Sequence, residues 1–243
     1  MLIMLELNHK PENSACFNCR LKNLCLPIAL EASNIKYLEE IIERYTYTKG
    51  DYLYSQNNNF RSVYAVRSGS FKSSLINYDG ETRINRFFFP GEIIGLDGIA
   101  NGMHTNTVQA LEHASVCEIS FPQLQELSRK MPSLQNHFFS LMGKEITEGQ
   151  EIHGFLSHNT AKERAVHFLL SLSARLARVS LSSSKLLLPM TRADIGEYLG
   201  LTLETVSRTL TQLQNKGLIS VNNREVTLLQ MDSLREIIGC SED

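Results

Sequence analysis

Apolar positions along the 243-residue chain change their period more than once, and those changes divide it. Residues 1–30 hold no period and read as an irregular arm closed by Pro27. Glu31 to Arg44 places Ile35, Leu38, Ile41 and Ile42 at helical spacing, which predicts a helix. From Tyr45 to about Phe121 the apolar runs shorten, as in Val63-Tyr64-Ala65-Val66 and Val116-Cys117-Glu118-Ile119. Turn signals separate them at Lys49-Gly50-Asp51, Ser68-Gly69, Asp79-Gly80, Pro90-Gly91 and Asn101-Gly102, the pattern of a sandwich or barrel. After Pro132 the period returns to three and four through Leu134, Phe138, Leu141, Met142, Ile146, Gly149, Ile152 and Leu156. That predicts one long helix to about His158 with a coiled-coil-like seam. The seam fits packing on the chain's own β-domain or against a twin helix from a second chain. A length of roughly 37 Å favours the twin. Gly143, Gly149 and Gly154 soften this helix, and Glu145, Glu148 and Glu151 are expected to oppose like charges across a parallel dimer.

The carboxyl-terminal part starts with a helix over Ala161 to Val179 that carries Arg164, Arg175 and Arg178. A loop from Ser180 to Lys185 and a short strand at Leu186-Leu187-Leu188-Pro189 follow. Thr191 with Asp194 three residues later makes a capping-box start, and Gly200 ends that helix. Thr202 caps a second helix to about Lys216, so the pair forms a helix-turn-helix. A hairpin of Leu218 to Val221 and Glu225 to Leu228 around Asn222-Asn223 adds a wing. In the second helix Leu203, Val206, Leu210 and Leu213 are expected to face inward. Glu204, Ser207 and Arg208 share the opposite face near its amino end, next to Thr202. Arginine pairs bidentately with guanine, glutamate accepts from a cytosine amine, and serine serves base or phosphate. An i,i+4 ion pair between Glu204 and Arg208 is the plainer reading. The helix and turn in front of them favour DNA reading.

A composition of 42% hydrophobic and 21% charged residues is that of an ordinary globular protein with a real core. Net charge of −2 supplies no bulk attraction to nucleic acid, so any DNA contact rests on placed side chains. Met1 to Leu7 is interrupted by Glu6, lacks a basic flank and is too short for a signal peptide, and no apolar run approaches a membrane span. Five cysteines, an odd number, point to a reducing cytoplasm without a disulfide framework. Cys16, Cys19 and Cys25 are spaced C-x2-C-x5-C among the polar residues Asn18, Arg20, Lys22 and Asn23, which is unlike a core setting. Together with Cys117, on or beside a strand, they suit a tetrahedral zinc or the irons of a [4Fe–4S] cube, and spacing leaves both open. Either metal would clamp the arm onto the β-domain. Cys240 has no partner in this scheme and reads as a free thiol. Scattered histidines and the lack of a nucleophile elbow, P-loop or HExxH argue against an enzyme.

Taken in order, these parts resemble the fumarate-and-nitrate-reductase regulators, the anaerobic iron–sulfur branch of the cyclic-AMP receptor protein superfamily. The likeness spans nearly the whole chain. It rests on the cysteine triplet, on Gly69, Gly80 and Pro90-Gly91-Glu92, on Val116-Cys117-Glu118-Ile119, and on Asp194-Ile195-Gly196 through Arg208. It implies an α+β fold: a cysteine-bearing arm (1–30), a cyclic-nucleotide-binding-like β-roll or double-stranded β-helix (31–132), a dimerisation helix (133–158) and a winged helix-turn-helix (159–243). It implies an oxygen-labile [4Fe–4S] cluster on Cys16, Cys19, Cys25 and Cys117, and a homodimer formed through Phe138, Met142, Ile146, Gly149, Ile152 and Leu156. Glu204, Ser207 and Arg208 would read a palindromic double-stranded DNA site, and the loop at Gly80 and Glu81 would contact RNA polymerase. Cyclic-nucleotide control is not expected, because Leu96 to Val108 lacks the arginine that grips the phosphate in nucleotide-binding relatives. A zinc-stapled regulator is the alternative; an iron–sulfur electron carrier would leave the helix-turn-helix unexplained. Arg20 follows the second cysteine, where the best-known relatives have a small residue, and is expected to stabilise the anionic cluster. The loop from Val179 to Lys185 shows little likeness to the family.

Overall fold

Ile41-Ile42-Glu43-Arg44-Tyr45-Thr46-Tyr47 is β-branched and aromatic enough to take a pleated strand, and this ends the expected helix over 31–44 early. In the computed structural model, which describes residues 16–31, 33–76, 80–179 and 182–239, only the short helix α1 (Ile35–Glu39) forms there. Two 3₁₀ turns, Cys16–Asn18 and Leu26–Ala29, precede it. The strands β1 (Ile42–Tyr47), β2 (Tyr52–Tyr54), β3 (Ser62–Ser68), β4 (Phe71–Ile76), β5 (Thr82–Phe88), β6 (Ile93–Ile94), β7 (Thr107–Ala110) and β8 (Ala114–Ser120) follow. They form two four-stranded sheets, ordered β1-β8-β3-β6 and β2-β7-β4-β5. Alternate residues of both sheets meet in one core that includes Tyr47, Tyr54, Val66, Phe71, Phe88, Ile94, Val108 and Val116. The opposite face of the first sheet is therefore free for other work. It carries Cys117, with Arg44 of β1 and Ala65 of β3 as its cross-strand partners.

Helix α2 (Phe121–Lys130), absent from the sequence reading, begins where Pro122 can occupy the first turn without losing a helical hydrogen bond. The long helix α3 (Pro132–His158) and α4 (Ala161–Arg178) come next, then β9 (Lys185–Leu187), α5 (Arg192–Leu199) and α6 (Leu203–Asn215). Strands β10 (Ile219–Asn222) and β11 (Glu225–Leu228) and helix α7 (Met231–Ile237) come last among the described residues. Antiparallel pairing in the order β10-β11-β9 makes the wing. Among the described residues no helix is long and apolar enough to cross a membrane. Cys240 lies outside the described residues.

The chain divides into two compact units, Met1–Ser73 with Phe87–Phe139, and Ser74–Arg86 with Ser140–Asp243. The tip of the β4–β5 hairpin thus goes with the carboxyl-terminal unit, and contacts within that unit explain why. Arg86 pairs with Glu145 at 2.9 Å and Glu148 at 2.7 Å, and the Ile84 amide donates to Glu197 Oε1 at 3.1 Å.

Capping fixes the helix-turn-helix locally. The Thr191 hydroxyl accepts from the Asp194 amide at 3.1 Å, and the Asp194 carboxylate accepts from the Thr191 amide at 2.8 Å. Gly200 closes α5 at φ +64°, a left-handed conformation suited to glycine. Arg164 of α4 holds this turn from behind, with Nη1 donating to the Leu199 carbonyl at 3.1 Å. Inside α5, a Cβ on Gly196 would stand 2.6 Å from the Leu201 carbonyl oxygen. Neither backbone can yield there without opening the turn between the two helices. Gly196→Ala is therefore expected to destabilise the carboxyl-terminal unit by about 1–3 kcal/mol and to abolish specific DNA binding. Thermal melting with a DNA mobility shift checks this; a variant that binds with wild-type affinity contradicts it.

Candidate metal centre and recognition helix

The thiol loop is wound by its own backbone. The Cys19 amide donates to the Cys16 carbonyl at 3.1 Å, and the Cys25 amide donates to the Leu21 carbonyl at 3.1 Å. Leu21 and Leu26 are buried, which anchors the loop through its apolar positions and leaves Arg20 exposed. Cys16, Cys19, Cys25 and Cys117 are all free thiols and line one cavity. The cavity measures about 30 Å³ as space open to the centre of a water molecule. Leu26, Leu38, Ile42, Ala65 and Ile119 supply its apolar walls, and Arg67 reaches its edge. Among the described residues no three histidine, cysteine or acidic side chains converge as a single-ion site.

Burial dominates the chemistry of these thiols. It pushes the Cys16 pKa up to about 11 and the Cys25 pKa up to about 12, with neighbouring thiols adding to the rise. Cys117 is also raised by burial, opposed chiefly by the Arg44 guanidinium and then by Arg67. Arg44 Nη2 lies 3.8 Å from Cys16 Sγ, and the Arg44 side chain also hydrogen-bonds Cys117. Arg20 sits on an exposed turn, whereas Arg44 lies beside Cys16 and Cys117, and Arg67 and Lys22 line the cavity. His137 of α3 hydrogen-bonds the Cys25 backbone, and burial lowers its pKa against that bond. The thiol loop is in this way tied to the start of the long helix. Four soft thiol donors around an apolar-walled cavity with guanidinium neighbours match what a thiolate-held metal cluster needs.

On α6, Glu204, Ser207 and Arg208 are exposed on a common face, while Val206, Leu210 and Leu213 are buried. Leu203 departs from expectation: as the first residue of the helix it projects past the packed turn and is 45% exposed. The Thr202 hydroxyl accepts from the Thr205 amide at 3.2 Å, so its first task is capping. No ion pair between Glu204 and Arg208 forms among the described contacts, which leaves both groups presented outward.

Along α3 the expected seam is corrected at its first residue. Phe138 is only 7% exposed and packs on Phe121 with ring centroids 6.3 Å apart, so it belongs to the protomer's own core. Its neighbour Phe139 is 58% exposed and Ile146 60%, with Met142, Ile152 and Leu156 half-buried and Gly149 open. Glu148 is corrected too. Arg86, Lys144 at 3.6 Å and Arg178 at 3.8 Å surround its carboxylate, so it is no uncompensated charge. Gly80, at φ +78°, and Glu81 are exposed on the hairpin tip, where Glu81 meets Arg83 at 3.4 Å.

A β-roll followed by a long helix and a winged helix-turn-helix defines a transcription regulator of the Crp class. Residues 163–237 match the Crp-like helix-turn-helix domain family, and residues 44–131 match the cyclic nucleotide-binding domain family. The transcriptional activator protein FnrA of Stutzerimonas stutzeri is 40% identical over 229 residues, covering 94% of each chain. The fumarate and nitrate reduction regulatory protein of Vibrio cholerae is 40% identical over 229 residues, covering 94% of this chain and 92% of the relative. Among solved structures, FixK2 of Bradyrhizobium japonicum superposes with a TM-score of 0.76 at 28% identity, covering 83% of this chain and all of that one. The chain belongs to the fumarate-and-nitrate-reduction family of DNA-binding transcriptional regulators, which are not enzymes.

Proposed function

We propose that this chain is an oxygen-responsive regulator that holds a [4Fe–4S] cluster on Cys16, Cys19, Cys25 and Cys117 and works in the reducing cytoplasm. The observation that carries the reading is the meeting of all four thiols at one apolar-walled cavity. When bound, the cluster supplies an oxygen-labile clamp between the thiol loop and β8. The protein's part is to deliver the four sulfurs, exclude water with Leu26, Leu38 and Ile119, and pass the position of the Cys25 loop to α3 through His137. The exposed line from Phe139 through Ile146 is then the homodimer seam, and two copies of α6 meet the half-sites of a palindromic duplex. Gly80 and Glu81, exposed on their hairpin, are the proposed contact to RNA polymerase.

Cyclic-nucleotide control finds no support in the loop from Leu96 to Val108. Its polar centre is the Asp97 carboxylate, which accepts from Tyr54 Oη at 3.0 Å and from the Thr105 and Asn106 amides at 2.8 and 3.1 Å. His104 stacks on Tyr54 at 3.6 Å and fills the space beside it. A phosphodiester there would face a carboxylate where it needs a cation.

The deciding experiment is an absorption spectrum of anaerobically purified protein with iron and acid-labile sulfide counts. Iron and sulfide in equal amounts with visible absorption that bleaches in air is the expected result. Zinc in place of iron overturns the reading in favour of a zinc-stapled regulator. For the DNA side, Arg208→Ala is expected to cost about 1–3 kcal/mol on the specific site and to relax preference at one base pair per half-site. Competition with base-substituted duplexes measures this; an equal loss on random DNA would assign Arg208 to phosphate positioning.

A further inference from the structure

The cavity that gathers the thiols is not electrically neutral at its rim. Arg44 lies directly across from Cys117 in the β1–β8 register, and Ala65 of β3 pairs Cys117 on its other side. Arg67, at the irregularity that ends the regular β3–β8 pairing, lines the same cavity. Arg44 is half-buried and bridges separate parts of the site: Nη2 lies 3.8 Å from Cys16 Sγ on the loop, and the side chain hydrogen-bonds Cys117 on the strand. A guanidinium keeps its charge in any such setting and presents several donors in a fixed plane. Weak, long N–H···S contacts to a thiolate strengthen when the sulfur carries charge.

We infer that Arg44 is the positioning residue and resident counter-ion of the thiolate-held cluster, and that it sets how easily the cluster is oxidised. This rests on the proposed function, because the group that Arg44 serves is the cluster itself. Four thiolates around a doubly positive core leave the assembly with a net negative charge. Were that core to pass an electron to dioxygen, the products would be superoxide and a less negative assembly. A fixed cation 3.8 Å from one ligand sulfur favours the more negative side of that step and so slows it. Arg44 also spans loop and strand, so it holds Cys16 and Cys117 in register before any metal arrives. Arg20, exposed on its turn, does neither.

The test uses the full chain, reconstituted anaerobically, as wild type and as Arg44→Gln, Arg44→Lys and Arg20→Ala. Expected for Arg44→Gln is iron uptake at or somewhat below the wild-type level, with visible absorption lost about tenfold faster in air. Its one-electron midpoint potential should fall by about 59 mV, the electrochemical equivalent of tenfold. Arg44→Lys should recover most of both shifts, and Arg20→Ala should match wild type. A merely structural role would lower iron content and melting temperature without moving the potential of the clusters that form. Should Arg44→Gln take up no iron, Arg44→Lys decides: loading at near wild-type potential supports the inference, and failure to load overturns it. Wild-type lifetime and potential in Arg44→Gln also overturn it while leaving the cluster intact. Absence of iron from the wild-type chain defeats the underlying reading instead, so the two failures are distinct.

Discussion

Cys117→Ser is expected to remove the proposed iron–sulfur cluster completely, although it changes one atom. Three of the four proposed ligands lie within a short loop and would still be present, but Cys117 alone comes from the sheet. Without it no ligand from the sheet ties the loop to the β-domain, and only packing and the Arg44–Cys16 contact remain. The effect is large because of the surroundings. Burial already pushes the Cys16 and Cys25 thiols up to about 11 and 12, so those two reach their anionic form only with a compensating metal. A serine hydroxyl, several pKa units weaker still as an acid, cannot make that exchange in the same low-dielectric site. Serine at Cys16, Cys19 or Cys25 should act alike, and Cys240→Ser should retain the full complement. Iron and sulfide per chain in the five variants measure this. A full cluster in Cys117→Ser would remove the strand from the ligand set and with it the clamp between loop and sheet.

Legibility in the sequence followed the range of the interactions. The helix-turn-helix could be read because its determinants are local: the Thr191–Asp194 capping box, the left-handed Gly200 and the Thr202 cap each act within a few residues. The strands between Tyr45 and Phe121 were likewise marked by turn glycines. Ile41 and Ile42 satisfied both a helical and a strand period, and the choice fell to β1 through pairing with β8, far along the chain. Arg44 was invisible for the same reason. Only the β1–β8 register makes it the neighbour of Cys117, whereas Arg20 was conspicuous by adjacency in sequence and points to solvent. Phe138 and Phe139 are adjacent on a helix whose phase is fixed by the packing of Phe121 and Leu134, and periodicity alone does not choose between them. Leu203 continues the inward period of α6 on paper, but a first-turn residue lies beyond the core that the rest of the helix covers.

Ile146→Glu is expected to weaken dimerisation at least about 100-fold, or about 2.7 kcal/mol, and with it binding to a palindromic site. Ile146 is 60% exposed among the described residues, on the same helical line as Phe139 and Met142. In a two-fold seam the residue appears twice and near the axis, so one substitution places two carboxylates against apolar surface and against each other. The nearby acid Glu148 would not act in the same way. Arg86, Lys144 and Arg178 already surround it, so Glu148→Ala would strip Arg86 of a 2.7 Å partner within the protomer and relieve no repulsion across the seam. Sedimentation of the anaerobic protein separates the possibilities. Ile146→Glu should run as a monomer with its iron content unchanged, because the thiol cavity lies in the other unit. A dimer of wild-type strength would show that α3 is covered by something other than a second copy of itself. Loss of iron together with the dimer would show instead that the cavity needs the assembled seam, which would place the clamp downstream of dimerisation.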